Sequence, residues 1–242
     1  MASRGTVSTL LGSGLVVITA LGGVGGYGVG LLTTNESAAA SGTAAPLGAL
    51  NTSPTTPVST PSQSAPPPKV RYDTSPALNV DDLYYKTRTL TVKGTYRSVV
   101  TVRVPSGWNL TQPDPPKTGR YTDPTSKRWI RIESGFSITR PPAESMRLRI
   151  LQLREQVPAD QALTIISQKV DKAYATLAYT YVPPKEQSPE QFLRYVIVRW
   201  VADDSGNCAV EMSSTGLPQD KDALMDVLDH ASSSVERRDS PL

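Results

Sequence analysis

The stretch YRSVVTVRVPSGW, residues 96–108, decides the fold because it carries the clearest periodicity in the chain. Valines recur at every second position from Val100 to Val104, and the positions between them are polar or charged, among them Arg103. This alternation predicts a strand with one buried face and one face in water, as in an antiparallel sheet. A Pro-Ser-Gly turn at 105–107 ends the strand and leads into Trp108.

The same alternation predicts further strands on both sides of this stretch. They are expected at 89–92, 128–133, 164–170, 174–182, 193–202 and 208–213. The turn residues at 203–207 predict a hairpin loop between the last two strands. The segment from Trp108 to Ser126, rich in Pro, Asp and Lys, is predicted to be a loop.

Two helices are predicted from apolar residues at helical spacing. One covers 142–156, with Thr139 as its cap, and the other begins near Asp220, its expected cap. The apolar stripes are Met146, Ile150, Leu153 and Val157 in the first helix, and Leu224, Leu228, Ala231 and Val235 in the second. In the first helix, the arginines are expected to point mostly away from the stripe. Strands, helix, strands and helix in this order predict an α+β domain at 70–242, an antiparallel sheet covered by helices.

Residues 1–33 are predicted to form an N-terminal transmembrane anchor. Arg4 is the only charged residue before Glu36, and the uncharged stretch 6–33 exceeds the roughly 20 apolar residues that a bilayer requires. With Arg4 on the short side, the rest of the chain is expected outside the cytoplasm, as in a single-pass membrane protein of the cell membrane. The alternative is a cleaved signal peptide, with small residues at 37–40 as its cleavage site.

Two further features belong to the N-terminal part of the chain. Gly22, Gly26 and Gly30 lie four residues apart, which places them on one helix face, where small residues allow close helix packing. The alternative for these glycines is a flexible exit from the membrane. Residues 34–69 consist mainly of Pro, Ser, Thr and Ala, which predicts a disordered linker that holds the domain away from the membrane.

Composition argues against several classes of function. A net charge of +3 is too small for a dedicated nucleic-acid binder. The single cysteine, Cys208, is expected in the core, and with the single histidine, His230, it cannot supply a structural zinc site. No phosphate-binding glycine loop follows a strand, and no acid–base pair stands out. The sequence therefore predicts no cofactor, no metal and no catalytic residues.

Charge is unevenly distributed along the domain. Residues 86–172 contain sixteen Lys and Arg against seven Asp and Glu, whereas 203–242 contain three against nine. A basic surface is predicted that binds anionic ligands, built on two arginines of one strand and extended by three others: Arg97, Arg103, Arg128, Arg147 and Arg149. The alternative is a pair of solvated faces whose charges cancel. The three tryptophans are expected in the core or at its rim, with a ligand-stacking groove as the alternative.

The motif Val102-Arg103-Val104-Pro105-Ser106-Gly107-Trp108 resembles the V-x-V-P-x-G-W signature of the Mog1p/PsbP-like fold. The tyrosine-rich strand at 178–181, the hairpin at 203–207 and the Ser-Ser-Thr-Gly run before the last helix are similar too. The resemblance covers roughly 95–235. It implies an α/β/α sandwich with a binding or accessory role, found behind membrane anchors in high-GC Gram-positive bacteria. It carries over no catalytic residue.

These features together predict a non-enzymatic, membrane-anchored extracytoplasmic protein that has a binding or accessory role in the cell envelope. Its expected partners are the membrane, through the N-terminal helix, and anionic wall polymer or lipid headgroups. One alternative is an accessory subunit of a membrane complex, bound to a membrane protein. The other is a secreted cell-wall enzyme. The ligand, the pathway and the oligomeric state do not follow from the sequence.

Overall fold

The computed structural model describes residues 70–93, 96–111, 118–136 and 139–241. The predicted anchor at 1–33, its glycine face and the predicted linker at 34–69 lie outside these ranges. Within the described ranges, no helix has both the length and the apolar character needed to cross a bilayer.

The described residues form ten strands and two α-helices. The elements before the first helix are β1 Tyr85–Lys93, β2 Arg97–Pro105, β3 Asn109–Thr111, β4 Thr118–Thr122 and β5 Trp129–Ser134. The elements from the first helix onward are α1 Pro142–Gln156, β6 Thr164–Val170, β7 Tyr174–Tyr181, β8 Arg194–Ala202, β9 Cys208–Gly216, α2 Lys221–Ser234 and β10 Glu236–Ser240. Short 3-10 turns lie at Val80–Asp82, Ala159–Gln161 and Pro218–Asp220.

The strands form two antiparallel sheets. The large sheet has seven strands in the order β3-β4-β5-β9-β8-β7-β6, and the small sheet has three in the order β1-β2-β10. α1 packs on one face of the large sheet, against β7 and β8. α2 and the small sheet together cover the opposite face. The domain therefore has three layers: α1, the seven-stranded antiparallel sheet, and a layer made of α2 and the small sheet. The α+β prediction of an antiparallel sheet with a helix on each face is confirmed, and the small sheet is an addition to it.

Each face of the large sheet has its own apolar core. On the α1 side, Met146, Ile150 and Leu153 pack with Leu177 and Trp200. On the other side, the predicted stripe of α2 meets the buried valines of β2 and the isoleucines of β5. The period-two prediction for β2 is confirmed, because Val100, Val102 and Val104 are buried while Arg97 and Arg103 are exposed.

The two predicted helix caps are wrong. α1 begins after Pro141, and no side chain caps it. Thr139 lies two residues before the N-cap position, and Pro142 at the first helical position lacks one of the N–H groups that would otherwise need a partner. Asp220 does precede α2, but its carboxylate does not cap that helix. It accepts hydrogen bonds from the backbone N–H groups of Leu78 and Leu217 instead.

The predicted loop between Trp108 and Ser126 is also wrong, since it contains β3 and β4. β4, with the sequence TGRYT, pairs with β5 along its whole length. A Cβ at Gly119 would overlap the side chain of Leu90 on β1, so a larger residue would force that buried side chain to move where the two sheets approach each other. β10, with the sequence ERRDS, was not predicted, because an exposed edge strand does not need apolar residues.

Candidate functional site

Two of the five arginines predicted to bind anions lie on one exposed face of the domain. Arg97 and Arg103 are exposed on β2, on the face of the small sheet that points away from the core. In register with them, Lys93 lies opposite Arg97, and Thr87 lies opposite Arg103. On the other side of β2, Arg238 of β10 lies opposite Val99, and Glu236 lies opposite Thr101.

These positions define a surface called the outer basic face. Its residues are Thr87, Thr89, Thr91, Lys93, Arg97, Val99, Thr101, Arg103, Glu236 and Arg238. Three threonines of this face form a row along β1, and one of them, Thr89, lies within hydrogen-bonding distance of Thr101 on β2, at 3.2 Å. Cations lie at its ends and on β10. The face has four cations and one carboxylate, and no described helix packs on it.

The structure removes Arg128 and Arg149 from this surface. Both are 5% exposed. Arg128 donates to Asp220 through Nε at 2.8 Å and through Nη2 at 2.9 Å. Arg149 donates to Glu211 at 3.0 Å, although it was expected to point away from the core. Burying a guanidinium is costly unless it is paired, so these two arginines are held inside the fold by their carboxylates and are not available to a ligand.

Arg147 is exposed but lies on α1. α1 and the small sheet cover opposite faces of the large sheet, so Arg147 cannot extend the outer basic face. The predicted five-arginine surface is thus reduced to Arg97 and Arg103, to which the fold adds Lys93 and Arg238.

A second group of basic residues was not predicted from the sequence. On the α1 side of the large sheet, the guanidinium carbon of Arg120 lies 5.5 Å from the ring centre of Trp129, and that of Arg194 lies 5.7 Å from it. All three side chains are partly buried. Arg120 fell within a predicted loop, and Arg194 comes from β8, two strands away from β5. The only feature of the sequence that could have placed Arg120 on a strand is the alternation of residue types in TGRYT.

A shallow pocket of about 480 Å³ lies near the C-terminal end of α2 and includes His230, Asp226 and Arg199. His230 Nδ1 lies 3.0 Å from the carbonyl oxygen of Asp226, and its ring stacks on Tyr85 at 3.8 Å. Arg199 donates to Asp229 at 2.7 Å. The polar groups around this pocket therefore already have partners within the protein.

The cysteine and the tryptophans singled out in the sequence lie where they support the fold. Cys208 is buried, as predicted, and burial raises the pKa of its thiol, which keeps it protonated. Trp108 and Trp200 are buried, as predicted for core residues, whereas Trp129 is partly exposed. In the described part of the chain, no group of three or more His, Cys, Asp or Glu is placed to hold a metal ion.

The architecture is similar to that of solved structures. The Ran-binding protein Mog1p of Saccharomyces cerevisiae is 12% identical with a TM-score of 0.43, and the match covers 63% of this chain and 96% of Mog1p. A Mog1 point mutant gives 12% identity and a TM-score of 0.43, over 62% of this chain and 95% of the mutant. LpqN of Mycobacterium tuberculosis, involved in cell envelope biogenesis, gives 13% and 0.33, over 67% and 99%.

No protein-family model matches the chain, and no curated protein matches it. The first two structures belong to the fold group that the sequence resembles. At these identities and TM-scores, no ligand, partner or activity carries over from any of the three to this chain.

Proposed function

We propose that this chain is a membrane-tethered, extracytoplasmic binding or accessory protein of the cell envelope, and that it acts without catalysis. Its domain binds anionic, phosphate-bearing material through the outer basic face. The uncharged stretch 6–33 and the proline-rich composition of 34–69 support the tether. The exposed cations on a sheet face that no described helix covers are the observation that carries the binding proposal.

The chemistry of the outer basic face suits a repeated phosphate group. Arg97 and Arg103 lie six residues apart on one strand, which separates them by about 20 Å at about 3.3 Å per residue. Guanidinium groups bind phosphate oxygens in bidentate fashion, and the hydroxyl of Thr101 between them, with those of the threonines on the neighbouring β1, can donate further hydrogen bonds. Neighbouring strands lie about 4.8 Å apart, so the three strands offer a flat strip to an extended polymer or to headgroups.

The one carboxylate on the outer basic face does little to neutralise its cations. Glu236 lies 3.8 Å from Arg238, and both side chains are largely exposed. Such an exposed pair contributes little and is easily replaced by a ligand. Lys93, Arg97 and Arg103 form no ion pair with a carboxylate in the described residues, so their charges are available to a partner.

The test is calorimetric titration of the purified full-length chain in neutral detergent. One titrant is a glycerol-phosphate polymer, and the other is a water-soluble short-chain phosphatidylglycerol. We expect weak binding that falls as salt rises, because exposed charges are screened beyond about 8–10 Å. The double variant Arg97→Gln/Arg103→Gln is expected to bind at least about tenfold more weakly, at about 1 kcal/mol for each cation.

The matched control is Arg147→Gln/Arg154→Gln, which removes the same charge from exposed positions of α1. It is expected to bind like the wild type. Equal losses in the two double variants would mean that net charge, and not the outer basic face, governs binding. Failure of both titrants at low salt would contradict the proposal, and the accessory-subunit function would then be favoured.

A further inference from the structure

We propose that Glu133 and Glu211 share one proton near neutral pH, which makes the domain more stable in mild acid than in mild alkali. The two carboxylates are a pH-sensitive device built into the core on the α1 side of the large sheet. The outer basic face lies on the opposite side of the domain. The inference therefore does not depend on the proposed envelope function.

The first observation is that two buried carboxylates lie side by side in the large sheet. Glu133 of β5 lies directly opposite Glu211 of β9. The two residues are 5% and 6% exposed. Directly opposed residues of antiparallel strands have Cβ atoms about 4.5–5.5 Å apart, and like charges at such positions destabilise a sheet. Two carboxylates that are this close and removed from water do not both ionise readily, so the pair retains a proton.

The second observation is that the two carboxylates are unequally paired. Glu211 accepts from Arg149 Nη2 at 3.0 Å through Oε1, and from Trp200 Nε1 at 2.7 Å through Oε2. Glu133 Oε2 lies 2.9 Å from Arg131 Nη2, yet it accepts no hydrogen bond of good geometry among the described residues. Glu211 thus has aligned donors on both oxygens, whereas Glu133 lacks one on Oε2. Glu133 is therefore the member of the pair that is better placed to carry the proton.

The pKa of Glu133 agrees with this geometry. Burial raises this pKa most strongly, Arg131 lowers it in part, and the charge of Glu211 raises it again, with a result of about 7. Because the two carboxylates interact strongly, a titration near this pH belongs to the pair and not to one residue.

The other charged or titratable groups around the pair keep their charge near neutral pH. Arg131 of β5 and Arg149 of α1 face it, and Arg120 of β4 lies opposite Arg131. Arginine does not lose its proton in proteins. Cys208 of β9 and Tyr179 of β7 also lie close enough to interact with these charges. Burial raises the pKa of both, so each stays protonated.

The shared proton favours the folded chain because the pair is buried only there. The folded-state pKa of Glu133 lies above its ordinary value of 4.5, so the folded chain binds the proton more tightly than the unfolded chain does. The resulting stabilisation is complete below about pH 4.5 and is lost as the pH rises through about 7. Protonation removes the repulsion beneath α1 and leaves the bond from Arg149 to Glu211 in place.

Trp200 reports the charge of the pair, since its indole N–H donates to Glu211. The full-length chain in neutral detergent is titrated from about pH 5.5 to about pH 8.5 while tryptophan fluorescence is recorded. We expect a transition centred near pH 7 that is absent in Glu133→Gln and in Trp200→Phe. The control Glu155→Gln, an exposed position of α1, is expected to keep it. A wild type without this transition, or a transition that persists in Glu133→Gln, would overturn the proposal.

The urea midpoint measures the effect on stability. Glu133→Gln mimics the protonated carboxyl at every pH, and both chains contain His230, so the difference between them isolates the pair. We expect the two midpoints to agree at about pH 5.5 and the wild-type midpoint to fall below that of Glu133→Gln at about pH 8.5. The same pH dependence in both chains would contradict the shared proton. Failure of Glu133→Gln to fold would contradict it as well, because this variant mimics the proposed protonated state.

Discussion

Replacing Asp220 by alanine is expected to lower the free energy of unfolding by about 3–5 kcal/mol, because it breaks a buried ion pair and leaves one charge unpaired. Asp220 is fully buried, and its two oxygens accept from Nε and Nη2 of Arg128. The same carboxylate accepts from Leu78 N–H at 2.7 Å and from Leu217 N–H at 2.9 Å. It therefore ties the N-terminal segment of the domain to the start of α2.

In the Asp220→Ala variant, Arg128 stays buried with Asp123 as its remaining carboxylate, at 3.4 Å. Urea unfolding of the full-length chain measures the loss. The matched control is Asp222→Ala, an exposed carboxylate two residues further on, for which we expect a change within about 0.5 kcal/mol. A loss below about 1 kcal/mol for Asp220→Ala would show that this carboxylate does not hold the two segments together.

Replacing Trp108 by alanine is expected to cost about 3–5 kcal/mol in unfolding free energy, as is typical for a buried tryptophan. Its ring is 5% exposed and belongs to the core between the small sheet, the large sheet and α2. The turn that precedes it is closed by a hydrogen bond from Trp108 N–H to the carbonyl oxygen of Pro105, at 3.1 Å. The turn thereby directs the ring into the core as soon as β2 ends.

Urea unfolding also tests this prediction. Leu110→Ala is the control, because Leu110 lies two residues further on and is 46% exposed. We expect that control to change the unfolding free energy by less than about 1 kcal/mol. Equal effects of the two substitutions would mean that the Trp108 ring does not support the core.

The sequence predicted the elements whose pattern is local. β2 alternates between core and water, and the apolar stripe of α2 recurs at helical spacing, so each could be found without knowledge of its neighbours. β4 and β10 could not, because β4 depends on a glycine that fits beneath Leu90 and β10 is a charged edge strand. Their strand conformation comes from partners far away in the chain.

The same distinction explains the outcome for the predicted binding residues. Arg97 and Arg103 share one strand face, and a period of two places them correctly. Arg128 and Arg149 are neutralised by carboxylates 92 and 62 residues away, which no count of local charge can detect. Arg194 reaches Trp129 only because β8 and β5 both pair with β9.

In the proposed function, this domain lies outside the cytoplasm and presents its outer basic face there. Cys208 is the only cysteine and is buried, so the wild-type chain provides an unreactive background for thiol labelling. Thr89→Cys places one exposed thiol in the middle of the outer basic face. Intact cells producing this variant are treated with a membrane-impermeant maleimide, and their membranes are then washed with carbonate.

We predict that Thr89→Cys is labelled in intact cells as fully as in lysed cells, that the wild type is not labelled, and that the labelled chain stays in the washed membranes. Labelling of Thr89→Cys only after lysis would place the domain in the cytoplasm and contradict the proposed extracytoplasmic location.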